Sequence, residues 1–66
     1  MKMTVNGKPQ EIAAGTTVAD LLDQLRLDIL QVVVERNGAI IARQRYASQP
    51  LEEGDALEIV HFVGGG

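Results

Sequence analysis

The stretch "ALEIVHFVGGG", residues 56–66, decides how this chain folds. In a strand, Leu57 and Ile59 would share one face with His61, and Glu58, Val60 and Phe62 would share the other. Apolar side chains on both faces make the segment too apolar for a sheet edge, where unpaired backbone and exposed hydrophobic groups invite aggregation. It is therefore expected in mid-sheet. The rest of the sequence must supply a strand for each side of it.

Two hairpins do so. In "MKMTVNGKPQEIAAG", residues 1–15, Met1, Met3 and Val5 fall on one face and Lys2 and Thr4 on the other. Asn6-Gly7 suits the positive φ angles of a type I′ turn. The return strand, about Lys8 to Ala13, then sets Ile12 opposite Met1, and Pro9, which has no N–H to give a ladder, puts it at an edge. "QVVVERNGAIIAR", residues 31–43, repeats the device around Asn37-Gly38, with Val34 facing Ile41 and Glu35 facing Ile40. Both Asn-Gly pairs are accounted for by turn geometry.

Between the hairpins, Val18, Leu21, Leu22 and Leu25 recur at helical spacing and form one apolar stripe. Thr17 can cap that helix and Asp20 can answer in a capping box. The helix is expected to stop near Arg26 to Asp28, with no glycine to mark its end. "QRYASQPLEEGD", residues 44–55, reads as a loop with one short helical turn. Its acidic end and Arg36, Arg43 and Arg45 read first as solvated surface, although either also suits docking to a partner of opposite charge and the sequence does not choose. The last strand, slotted between the hairpins, runs parallel to the first with the helix as crossover. The class is α+β, a β-grasp with a mixed sheet of four to five strands on one main helix. Residues 1–63 form the domain and residues 64–66 a glycine tail.

Composition narrows the function. At 66 residues the chain is near the lower size limit for an independent core and has little room for an enclosed substrate pocket. It has no Cys, one His and one Ser, so thiol chemistry is excluded and a catalytic triad would need each of those residues to be in one place. A lone His61 offers no second ligand for a metal. A net charge of −3, with dispersed cations, argues against a nucleic-acid partner. The first ten residues alternate where a signal peptide would be continuously apolar, and no run suits a membrane span, so a cytoplasmic, non-membrane protein is expected. A binding or carrier role is favoured over an enzymatic one.

"NG" near the start, "TVADLL", "VVVERNG" and "EEGDALEIVHFVGGG", together with the length, resemble the thiamine-biosynthesis sulfur carrier family, which has a ubiquitin-like β-grasp fold. The resemblance covers essentially the whole chain. It implies that an adenylyltransferase related to ubiquitin-activating enzymes uses ATP to adenylate the carboxylate of Gly66. A sulfur donor system then makes a thiocarboxylate, and thiazole synthase consumes it. Gly64 and Gly65 would be the slender part that enters a partner's active site. Such a carrier needs no catalytic residue, metal or bound cofactor of its own and is expected to be monomeric when free. Glu58, Val60 and Phe62, opposite the core-facing residues of the last strand, are candidates for a partner surface. Two other readings keep the fold: a carrier for another sulfur pathway, such as the small subunit of molybdopterin synthase, and an interaction module whose tail is never modified.

Overall fold

The computed structural model describes residues 1–62. Strands β1 (Lys2–Val5) and β2 (Lys8–Glu11) form the first hairpin, with Thr4 opposite Pro9 and Val5 opposite Lys8. Asn6 and Gly7 turn the chain at φ 52° and 80°, both in the left-handed region that a type I′ turn requires. The regular return strand ends at Glu11 rather than Ala13. Met1 and Ile12 nevertheless face each other as expected: the N-terminal ammonium donates to Ile12 O at 2.7 Å, and Ile12 N donates to Met1 O at 2.8 Å. Pro9 lies on the edge strand, where its missing N–H costs no ladder bond.

Helix α1 (Val18–Gln24) begins with the expected capping box, in which Asp20 N donates to Thr17 Oγ1 and Thr17 N donates to Asp20 Oδ2. It ends earlier than its apolar spacing suggests. Leu25 is the C-cap, and Arg26 takes the left-handed conformation (φ 58°) that glycine usually supplies after a helix. Val18, Leu21 and Leu22 are buried, while Leu25, past the last full turn, is 39% exposed.

The second hairpin joins β3 (Val32–Arg36) to β4 (Ala39–Ile40) through Asn37 and Gly38, with Glu35 opposite Ile40 and Arg36 opposite Ala39. Ile41 N donates to Val34 O at 2.9 Å, which continues the expected register. Strand β5 (Ala56–His61) lies between the hairpins in a five-stranded sheet of order β2-β1-β5-β3-β4. It runs parallel to β1 and antiparallel to β3. The result is the β-grasp arrangement anticipated from the apolar character of residues 56–63.

Leu57 and Ile59 point into the core with Met3, Val5, Val32, Val34 and the helix residues Val18, Leu21 and Leu22. The long connection before β5 contributes more than a solvated loop would. Tyr46 and Leu51 are 2% and 4% exposed, and both belong to the core. This segment is also fastened to the helix start: Val18 N donates to Gln49 O, Ala19 N to Tyr46 O, and Leu51 N to Thr16 O. Helix N–H groups that have no partner within the helix are thereby satisfied by the loop.

Candidate functional site

Among the described residues, both hairpins hold β5, the strand that precedes the final residues. Its β3 side is paired throughout: Arg36 stands opposite Leu57, Glu35 opposite Glu58, Val33 opposite Val60 and Val32 opposite His61. Phe62 N extends that contact by donating to Gln31 O at 3.1 Å. Its β1 side is shorter. Thr4 N donates to Asp55 O and Asn6 N to Leu57 O, after which β1 turns away into its hairpin. There the carboxamide of Asn6 takes over: Ile59 N donates to Asn6 Oδ1 at 2.8 Å, and Asn6 Nδ2 donates to Ile59 O at 3.3 Å.

The other turn asparagine holds the start of the strand. Ala56 N donates to Asn37 Oδ1 at 2.9 Å, and Asn37 Nδ2 donates to Asp55 Oδ1 at 3.1 Å. Asn6 and Asn37 thus do more than form turns, which corrects the reading of the Asn-Gly pairs. A side-chain amide carries both a donor and an acceptor and can stand in for a backbone peptide.

Asp55 corrects a second expectation. It is 5% exposed, in a stretch read as a solvated turn. Arg36 Nε donates to Asp55 Oδ2 at 2.8 Å, and so does Glu52 N at 2.8 Å. Arg36 is accordingly a structural cation rather than a solubilising one, with Glu52 3.5 Å from its Nη2. Burial pushes the Asp55 carboxyl up, but the hydrogen bonds from Arg36, Glu52 N–H and Asn37, together with the Arg36 charge, outweigh it and hold the pKa below the usual carboxylate value. The Arg36 guanidinium is raised in turn, chiefly by its bond to Asp55.

The face of β5 turned away from the helix is open. Glu58 is exposed, Val60 is 51% exposed and Phe62 is 40% exposed. Among the described residues no loop covers these two apolar residues. The sheet adds two neighbours that a reading of β5 alone does not supply: Val33 beside Val60, and Glu35 beside Glu58. Their alternation with the buried Val32 and Val34 marks them as outward-facing, but assigning them to β5 required the β3–β5 register. His61 lies on the Leu57–Ile59 side of the strand, yet it is exposed at the strand end. Among the described residues, no group of three or more acidic or histidine side chains could hold a metal. A hollow of about 320 Å³ along β4 is lined by Arg36, Arg45, Gln49 and small or aliphatic residues, and it brings together no nucleophile and no acid–base pair. No helix of the described residues is long and apolar enough to cross a membrane. Gly64, Gly65 and Gly66, the predicted reactive tail, lie outside the described residues, as does Val63.

A five-stranded mixed sheet wrapped on one capped helix, with its last strand central, is the ubiquitin-like β-grasp class. Residues 3–66 match the ThiS family model, and the chain belongs to that family. It is 45% identical over 65 residues to the sulfur carrier protein ThiS of Bacillus subtilis, covering 97% of this chain and 98% of that one. It is 46% identical over 66 residues to a thiazole synthase of Magnetococcus marinus, but spans only 20% of that protein's length. Among solved structures, the thiamine biosynthesis protein ThiS of Geobacter metallireducens superposes with a TM-score of 0.85 at 38% identity, with both chains fully covered.

Proposed function

We propose that this chain is a sulfur carrier for thiamine biosynthesis whose reacting group is the carboxylate of Gly66. The observation that carries the reading is the placement of β5. The sheet's central strand is anchored on both sides as far as Ile59, with an open apolar and acidic face beside the point where the chain passes to its final glycines. Belonging to the ThiS family supports the same role.

In this reading, an adenylyltransferase related to ubiquitin-activating enzymes binds the face around Glu58, Val60 and Phe62. A carboxylate is a poor electrophile until one oxygen becomes a good leaving group. A Gly66 oxygen attacks the α-phosphate of ATP, the bond to pyrophosphate breaks, and an acyl-adenylate forms. A sulfide-level nucleophile (HS⁻) from a donor system then attacks the acyl carbon, AMP leaves, the sulfur's proton passes to solvent, and a thiocarboxylate remains. Gly64 and Gly65 keep the approach narrow because they carry no Cβ. The carrier itself supplies no acid, base or nucleophilic side chain, so it is a protein substrate and not an enzyme.

Thiazole synthase is the proposed consumer of the thiocarboxylate. In support, a region similar to this whole chain occurs within the Magnetococcus protein that bears the name thiazole synthase. The test is reconstitution of the purified chain with the adenylyltransferase, ATP and a sulfur donor. Pyrophosphate release that depends on the chain supports the proposal, and its absence with an active adenylyltransferase refutes it.

A further inference from the structure

We propose that Asn6 is a positioning residue for carrier activation: its carboxamide replaces the missing length of β1 and fixes the course of the last residues of β5. This rests on the carrier reading above, because it concerns how the residues after Phe62 are offered to the activating partner. The backbone of β1 pairs with β5 only at Thr4–Ala56 and Val5–Leu57. Ile59, the next β5 residue whose N–H and C=O point to that side, has the Asn6 amide as partner for both groups. The contact joins positions 53 residues apart. It is the last place at which β5 is held from both sides, since beyond it the described bonding is to β3 and Gln31 alone.

The turn by itself does not call for this residue. Asn6 is at φ 52°, a conformation that Gly and Asp also accept at the first central position of a type I′ turn. Neither could serve Ile59 in the same way. Glycine has no side chain, and an aspartate offers an acceptor to Ile59 N but sets a negative oxygen against Ile59 O. Asn37 provides an internal comparison. It occupies the matching turn position and also bonds β5, but at Ala56 and Asp55, at the opposite end of the strand.

Without the Asn6 clamp, β5 beyond Leu57 is held by one neighbour and can pivot about that ladder. A partner that captures one direction of the chain end then meets the competent arrangement only part of the time, and apparent affinity falls by that fraction. Once the end is engaged, the chemistry is unchanged. The loss belongs in KM and not in kcat.

The experiment compares Asn6→Gly, Asn6→Asp and Asn37→Gly with the unaltered chain. Amide hydrogen exchange is followed at Ile59, with Leu22 as a reference for global opening, and adenylation is followed with a purified adenylyltransferase of the ubiquitin-activating class. Asn6→Gly should exchange Ile59 at least about tenfold faster relative to Leu22, and Asn6→Asp by less, because its carboxylate still accepts from Ile59 N while repelling Ile59 O. They should raise KM for the carrier about fivefold or more while kcat stays within about twofold. Asn37→Gly, which removes a bond to buried Asp55, should lower the thermal midpoint at least as far yet leave KM within about twofold. Equal KM changes for Asn6→Gly and Asn37→Gly, or an unchanged KM for Asn6→Gly while the unaltered chain turns over, would overturn the positioning role. Failure of the unaltered chain to be adenylated would overturn the carrier reading instead, and an unaltered Ile59 exchange rate in Asn6→Gly would then remove the clamp as well.

Discussion

Glu35 and Glu58 stand directly opposite each other on β3 and β5, two carboxylates side by side on the open face of the sheet. Like charges in that relationship destabilise a sheet. They also leave a surface that a cationic partner would neutralise. Replacing Glu58 with Lys should therefore stabilise the isolated domain by about 0.2–1 kcal/mol and weaken its association with the adenylyltransferase. Urea denaturation and titration calorimetry test the two halves separately. Unchanged affinity would mean that the acidic pair lies outside the interface.

Asp55 makes the fold sensitive to acid. Its folded pKa lies below the unfolded value, so the unfolded chain binds more protons and stability rises with pH through that range. The contribution is fully present above the ordinary Asp value of about 3.9 and is lost as pH falls through the lower folded value. Asp55→Asn should cost about 1–3 kcal/mol at neutral pH, because it removes the charge that Arg36 and Glu52 N–H are arranged around. The variant should also lose stability less steeply below about pH 4. Denaturation midpoints measured across acid pH check both effects.

Phe62 offers a cleaner test of the proposed docking face than a core residue could. It is 40% exposed and lies just past the end of β5, so Phe62→Asp should shift stability by no more than about 1 kcal/mol. Association with the adenylyltransferase should fall by about tenfold or more, the loss of one well-packed aromatic contact. A collapsed fold would show that the ring supports the core. Intact binding would place the interface elsewhere.

Much of the architecture could be read from local signals. Two Asn-Gly turns set both hairpin registers, Thr17 and Asp20 marked the helix start, and a strand apolar on both faces required a central place in the sheet. What escaped depended on long-range contact. Tyr46 and Leu51 sit in an aperiodic segment, and they are buried because that segment folds back on the helix start through Tyr46 O, Gln49 O and Thr16 O. Asp55 looked like one more acid in an exposed turn until Arg36 and Asn37 were brought to it from 19 and 18 positions away. Arg26 ends the helix in a conformation that its side chain gives no reason to expect. The outward face of β5 was legible from alternation alone, whereas its neighbours Val33 and Glu35 needed the β3–β5 register.

Removing Gly66 should separate folding from function. Among the described residues the buried core runs from Met3 to Ile59, and glycine has no side chain to add to it, so the deletion should leave the thermal midpoint within about 1–2 °C while abolishing adenylation. A large drop in the midpoint would show that the final residue contributes to the fold.

The most direct measurement is the intact mass of the chain recovered from cells that can supply sulfur, with fragmentation to locate any change. The expected species is heavier by the difference between sulfur and oxygen, with the added mass confined to Gly66 and absent from cells lacking the adenylyltransferase. A chain of unmodified mass from thiamine-synthesising cells, or a modification elsewhere in the sequence, would contradict the carrier role.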